Sequence, residues 1–436
     1  MTIDQILTLF VLAAVVVALI WDKVRADVVA LTGAAVLLMT GAVRPIDVQG
    51  AFASPAIIAL ASLFVIAYAL ELSGLLDRGI AIAVRMCKRM GAAGIWLLLS
   101  MIGCLSCFLN STPIVVLGAP VVRDVATALK LSPKRFLIPL SYITVLTGCC
   151  TLIGTSTNLL VDDMARLNGQ PRFGIFEITP VGIPIAIAGG IYLYLVSARL
   201  LGGRHELEEP EGAVGPFEPG YIGSAQVGDV EVFAEPREFQ PAKAAIALAT
   251  FVGAVTLATL NVAPIAATAF AGAVLLILLR VISADEAYSG LRPEILILIA
   301  GMVVIGIAME QTGLADDASR LLIAEVDDLN PLVAMMVLYV ATMVLTELLS
   351  NATVAVLVTP IAVALAESLG VSARPFLVAV MMAASAAFAT PFGYQTNVIV
   401  YQMGGYRYLD FVRIGLPLNI ITFAVASATI PVFFPF

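Results

Sequence analysis

An all-α polytopic membrane protein built from two inverted repeats is the fold class this sequence predicts, on three observations. Apolar residues make up 61% of the 436 and charged residues 12%, whereas a soluble domain averages about 45–50% and about 25%. Mostly apolar segments recur along the whole chain, each long enough for a hydrocarbon core of roughly 30 Å. The chain also repeats itself. Asn110-Ser111-Thr112, followed by Pro120, returns as Ser350-Asn351-Ala352, followed by Pro360. Gly154-Thr155-Ser156-Thr157-Asn158 returns as Gly393-Tyr394-Gln395-Thr396-Asn397.

Taken in order, the first half (residues 1–198) reads as spans at 6–21, 27–43, 55–73, 137–161 and 176–198. The second half (243–436) reads as spans at 244–260, 264–281, 294–311, 376–402 and 413–434. The run from Ile6 to Ile20 lacks a basic leader and has Lys23 and Arg25 behind it, which reads as a retained span. The stretches 93–128 and 331–368 each hold two short apolar arms around a polar centre. They read as re-entrant hairpins, since irregular backbone at membrane depth is tolerated only under a cover of protein. Spans 137–161 and 376–402 are broken at Gly154 and Gly393. The linker 199–242 is rich in Glu, Gly and Pro and reads as a cytoplasmic loop with a small hairpin near Val227–Phe233.

Basic residues set the orientation. With the N-terminus outside, outer segments carry Arg44, Arg166, Arg172, Arg320 and Arg374, and the other 18 of the 23 basic residues lie inside, all five lysines among them. Five spans per half is an odd number, so the second copy is inserted upside down. The connectors agree: 77–89 holds Asp77 against four basic residues, while 316–328 holds five acidic residues against Arg320.

Several classes of chemistry are disfavoured. Cys104 and Cys107 have a C-x-x-C spacing, but no second Cys/His pair accompanies them, so packing is the better reading. The single histidine, His205, lies in the polar linker, which argues against an intramembrane histidine relay and against an enzyme. No basic tract suggests nucleic acid, and no cofactor signature is present.

What remains is a solute site without basic side chains. Anions can instead be held by helix N-termini, whose free N–H groups and dipole favour negative charge. Such termini are expected after Asn110-Ser111-Thr112, after Ser350-Asn351, and at both breaks, so four helix ends would converge from the two halves. Hydroxyls, amides and unwound carbonyls also suit Na⁺, although the same residue types cap and glue membrane helices. Glu347, three residues before Ser350, is the intramembrane acid that could be a coupling ligand or a structural partner. Glu71 and Glu310 read as interfacial, and Asp162 and Asp163 as reaching the outer surface.

On these motifs the chain resembles the divalent anion/Na⁺ symporter family of the ion-transporter superfamily. The tips look like its Ser-Asn-Thr signatures, and the breaks echo its G/A-T-P-P-N stretch. The resemblance implies one Na⁺ site from Ser106, Asn110, Ser111, Gly154 and Asn158. A second would come from Thr346, Leu349 (through its carbonyl), Asn351, Gly393 and Asn397. The implied anion contacts are Ser111, Thr112, Thr155, Ser156, Asn351, Thr353, Tyr394, Gln395 and Thr396. It also implies a homodimer in a bacterial inner membrane that works by an elevator motion, with the connectors 77–91 and 314–329 as the joining arms.

The departures bear on substrate. Ser111 stands where that family has Asn, Ala352 where it has Thr, and Ser156-Thr157 and Gln395-Thr396 replace its Pro-Pro. The pattern is closer to the subgroup associated with sulfate, whose larger members carry regulatory domains between the halves. The expectation is Na⁺-coupled symport of a small divalent anion, sulfate ahead of a C4-dicarboxylate. The alternatives are a cation/proton exchanger or an arsenite-type permease of the same superfamily.

Overall fold

The computed structural model describes residues 2–436 except 22–23, 76–77, 79–89, 201–237, 261, 315–329 and 392. Among the described residues every regular element is a helix, and the helices form two sets in the same order. The first set is α1 (Ile3–Trp21), α2 (Ala26–Thr40), α3 (Pro45–Phe52), α4 (Pro55–Leu72), α5 (Ala92–Ser106), α6 (Ser111–Ala128), α7 (Lys134–Gly148), α8 (Ser156–Leu167) and α9 (Thr179–Leu200). The second is α10 (Pro241–Thr259), α11 (Ile265–Leu278), α12 (Ala284–Gly290), α13 (Pro293–Gln311), α14 (Pro331–Thr346), α15 (Asn351–Ser368), α16 (Arg374–Ala384), α17 (Gln395–Gly404) and α18 (Tyr408–Phe433). Each hairpin is thus an arm pair (α5/α6 and α14/α15), and each broken span is a helix pair (α7/α8 and α16/α17). The expected joining arms and the Val227–Phe233 hairpin fall outside the described residues, apart from the ends of the arms.

Local chemistry explains where helices start. Asn110 caps α6 by accepting from Thr112 N at 3.1 Å, and Ser350 caps α15 by accepting from Thr353 N at 3.2 Å; such a cap contributes about 1 kcal/mol. Two short helices were not anticipated. One of them, α12, opens on a capping box: Ser283 Oγ accepts from Glu286 N (3.2 Å) while Glu286 Oε2 accepts from Ser283 N (2.7 Å). Its counterpart α3 opens on Pro45, with Asp47 reaching back to Arg44 N at 3.1 Å.

Helix pairs sort into two packing groups. The frame comprises α1–α4 and α10–α13, in which α2 lies on α13 and, by the repeat, α11 lies on α4. The hairpin group comprises α5–α9 and α14–α18, with α5 on α7, α14 on α16, and α9 against α18. Here the halves interlock, because α8 packs on α15 and α17 on α6. The inversion is visible at the two ends of this group. At one, Arg374 donates to the carbonyls of Pro171 (3.0 Å) and Arg172 (2.9 Å); at the other, Lys134 donates to Gly405 O at 2.7 Å.

The two groups meet unevenly. Frame helix α13 packs along α15 and reaches α8, and α4 also reaches α8. The repeat-equivalent pairings of α4 with α6 and with α17 are marginal at most among the described residues. Since α8 and α15 both run toward the Arg374 end, the frame grips mainly that half of the hairpin group. Ser54, at the start of α4, donates to the buried carboxylate of Asp163 on α8, adding a polar tie at the same end. Among the long helices, α9 and α18 each have only 28% of their most apolar window buried and α10 has 22%, against 78% for α15. Their apolar residues face outward, as lipid-facing helices require.

Candidate solute and cation site

Both breaks sit where backbone leaves the helical pattern inside the protein, so their polar groups need partners. In the first repeat, Thr151 Oγ1 donates to Cys107 O at the hairpin tip and accepts from Gly154 N at 3.2 Å. Asn158 Nδ2 donates to Thr151 O (2.9 Å), Thr179 Oγ1 to Cys150 O (2.7 Å), and Leu152 N to Ile175 O (2.9 Å). The second repeat has the same relay: Thr390 Oγ1 contacts Glu347 O at 3.4 Å and accepts from Gly393 N at 3.0 Å. Asn397 Nδ2 donates to Ala387 O (2.9 Å) and Thr390 O (3.2 Å).

The ends of the helices divide by sign. In each repeat the first hairpin arm and the first part of the broken span end at the site, presenting carbonyls. The second arm and the second part begin there, presenting N–H groups. Helix C-termini favour cations and N-termini favour anions. Fully buried hydroxyls mark the carbonyl side: Ser106, the last residue of α5, donates to Thr144 O of α7 at 2.8 Å. Thr346, the last residue of α14, donates to Ala384 O, the last carbonyl of α16, at 2.6 Å. Ser111 Oγ lies 2.9 Å from Ser106 Oγ, and Asn351 Oδ1 lies 3.0 Å from Thr346 Oγ1. Thr346 has one proton for two acceptors, so oxygen lone pairs are in excess there, as a hard cation prefers.

The N–H side joins the halves. Thr112 Oγ1 at the start of α6 donates to Gln395 Oε1 at the start of α17, at 3.1 Å. The Tyr394 hydroxyl lies close to Ser111 and Thr155. Asn351, 8% exposed, has an Nδ2 without a hydrogen-bond partner, a free donor at the fourth helix start. No Lys or Arg belongs to this set, and among the described residues no cluster of His, Cys, Asp or Glu could hold a metal ion.

Not every expected contact faces this space. Thr396 and Asn397 are fully buried and accept from Ser141, both at 2.7 Å, so they anchor α17 to α7. Asn158 keeps an unpartnered, buried Oδ1, whereas Asn110 and Ser350 spend their side chains as caps. Thr353 Oγ1 lies 2.7 Å from Ser350 Oγ, Leu349 is buried, and Ser156 is half-buried. Sequence reasoning did not single out Thr151, Thr390, Ser141 or the carbonyls of Thr144 and Ala384. Thr151 and Thr390 could have been found, since each stands three residues before the glycine of its break.

Comparison with known proteins agrees with this architecture. The citrate-transporter family matches residues 16–370 and 348–436. The chain is 26% identical to the uncharacterized transporter sll0640 of Synechocystis sp. over 585 aligned positions, covering 95% of each protein. That alignment is longer than this chain, so the relative carries inserted sequence without a counterpart here. A shorter match, 44% identical over 106 residues, covers 23% of this chain and 12% of a probable sodium/sulfate cotransporter 3 of Chlamydomonas reinhardtii. The crystal structure of the Alcanivorax borkumensis YdaH transporter superposes with a TM-score of 0.58 at 14% identity, covering 88% of this chain and 86% of that one, a likeness of fold. The fold, the paired helix ends and the extent of the family match agree: this chain is a membrane transporter and belongs to the citrate-transporter family.

Proposed function

We propose that the protein is a secondary transporter that couples Na⁺ to the uptake of a small divalent anion, sulfate ahead of a C4-dicarboxylate. The observation that carries this reading is the division of helix ends. Carbonyl ends with buried hydroxyls occur once per repeat, at Ser106/Thr144 and Thr346/Ala384, and N–H ends from both repeats meet between them. Two cation sites flanking one anion site follow naturally, and cation binding lowers the cost of bringing the anion to a site without Lys or Arg. The partial likeness to proteins named sodium/sulfate cotransporters supports the choice of solutes. Na⁺ acts as a transported coupling ion, and no cofactor is needed.

The expected result in proteoliposomes is sulfate uptake driven by an inward Na⁺ gradient and lost when K⁺ replaces Na⁺. Uptake independent of Na⁺ would overturn the coupling, and uptake of succinate or citrate without sulfate would overturn the choice of anion.

The uneven grip of the frame supports an elevator motion. With basic residues inside, the gripped Arg374 end is outside, and this arrangement opens toward the cytoplasm. The inverted repeat then predicts the opposite state by exchanging equivalent contacts. A Cβ on Gly306 of α13 would lie 3.4 Å from Val356 Cγ1 of α15; the equivalent pair is Ala67 of α4 and Val116 of α6. In a background lacking the five native cysteines, Gly306→Cys with Val356→Cys should cross-link in the cytoplasm-open state. Ala67→Cys with Val116→Cys should cross-link only in the other. Cross-linking of both pairs under one locked condition would sink the exchange.

A further inference from the structure

We infer that Glu347 works as a positioning residue. It fixes the unwound segment of the second repeat and makes the cation site of that repeat the tighter of the two. The cation half of this inference rests on the reading of function above.

Glu347 accepts four hydrogen bonds. Oε1 takes Ala389 N at 2.8 Å and Asn419 Nδ2 at 2.8 Å; Oε2 takes Thr390 N at 2.9 Å and Thr390 Oγ1 at 2.9 Å. All four donors are neutral dipoles from the break and from α18. Thr390 Oγ1 in turn accepts from Gly393 N, so the carboxylate holds the break through to its glycine. A Cβ on Gly393 would lie 3.2 Å from Oε2, which puts the charge beside that glycine.

Two of the four donors are backbone N–H groups, Ala389 N on one oxygen and Thr390 N on the other, and neither can turn aside. A glutamine in either orientation presents its amide nitrogen to one of them, so it keeps only part of the set.

The first repeat lacks the device. Cys107 stands at the position of Glu347, with its thiol near that of Cys150, and Ala186 stands at the position of Asn419. Backbone there is tied instead by Thr179 of α9 and by Ile175 O. Both repeats therefore keep the threonine–glycine relay and a buried hydroxyl on a carbonyl of the broken span, but only the second adds a carboxylate. A carboxylate on the residue next to Thr346 raises cation affinity there and not at Ser106 and Ser111.

Purified full-length protein and Glu347→Gln, with Asn419→Ala as control, would be compared by Na⁺-dependent thermal shift and by proteoliposome uptake. Glu347→Gln should raise the half-saturating Na⁺ concentration about tenfold, as loss of a charge across a medium of effective dielectric near 20 requires. Its anion KM at saturating Na⁺ should change by less than about twofold, because the N–H ends are untouched. Asn419→Ala removes a donor but no charge, so it should lower the Tm and leave Na⁺ dependence as it was. Unchanged Na⁺ dependence in Glu347→Gln, or an equal shift in Asn419→Ala, would overturn the charge effect. If wild type itself ignores Na⁺, the functional reading fails with the cation half. The positioning half is then decided by Tm alone: it stands if Glu347→Gln unfolds earlier than wild type and falls if it does not.

Discussion

Gly154→Ala abolishes transport and lowers thermal stability, while Gly393→Ala leaves the protein folded: this is the expected result with the largest contrast between the repeats. A Cβ on Gly154 would lie 2.5 Å from Gly148 O and 2.6 Å from Cys107 O. Both are backbone atoms, one at the end of α7 and one at the hairpin tip, and neither can turn aside as a side chain can. Glycine is required there for close approach rather than for a left-handed conformation. Overpacking of this kind costs about 1–3 kcal/mol where neighbours can yield, and more where they are backbone. On Gly393 the added atom would meet Ala387 Cβ at 2.9 Å, which moves only with its backbone, and Thr390 Oγ1 at 3.0 Å and Glu347 Oε2 at 3.2 Å, which can rotate away. With one fixed contact at 2.9 Å against two near 2.5 Å, the cost is smaller. Purified variants compared by thermal unfolding and uptake check this; equal loss of stability in the two would contradict it.

Thr346→Ala should remove most of the Na⁺ dependence of transport at low Na⁺, and Thr346→Ser should restore it. The hydroxyl is fully buried and donates to Ala384 O at 2.6 Å, with Asn351 Oδ1 at 3.0 Å. Alanine leaves a helix-terminal carbonyl without its donor and deletes one oxygen of the proposed cation cage. The stability cost is about 1–3 kcal/mol. A similar loss of cation binding energy corresponds to a rise of at least about tenfold in half-saturating Na⁺. Ser106→Ala should act in the same direction but less, because Ser111 Oγ also reaches Thr144 O, at 3.1 Å, and can replace the missing donor. Na⁺ titrations of uptake at fixed anion concentration measure both, and an effect of Ser106→Ala larger than that of Thr346→Ala would reverse the ranking.

Much of this fold was legible because a membrane punishes irregular backbone. Where Asn110-Ser111-Thr112 or Gly154-Thr155 interrupts apolar sequence, a break must be covered, and recurrence of both interruptions required two covers of one design. The hairpins 93–128 and 331–368 therefore match α5/α6 and α14/α15 to within a residue at either end. The short helices α3 and α12 were passed over because each is set by a local capping arrangement rather than by an apolar period. At the site, residue type alone did not separate side chains that face the solute space from those that tie helices together. Asn158 and Asn397 occupy equivalent positions, yet Asn397 Oδ1 is taken by Ser141, whereas Asn158 Oδ1 has no partner because the residue equivalent to Ser141 is Met381.

The sequence by itself determined that the chain crosses a membrane, that its two halves are copies, and that charge inverts one against the other. Those properties follow from hydropathy and from the distribution of Lys and Arg, and both act on a segment wherever its neighbours lie. Tertiary structure alone decided which helix ends face each other, and that the frame grips one half of the hairpin group more than the other. It also decided what surrounds Glu347. An intramembrane carboxylate in a sequence can be a ligand, a proton carrier or an anchor, since each role needs only its charge. The choice among them depends on how many donors surround the carboxylate, and here four donors come from the break and from α18, between 42 and 72 residues away along the chain.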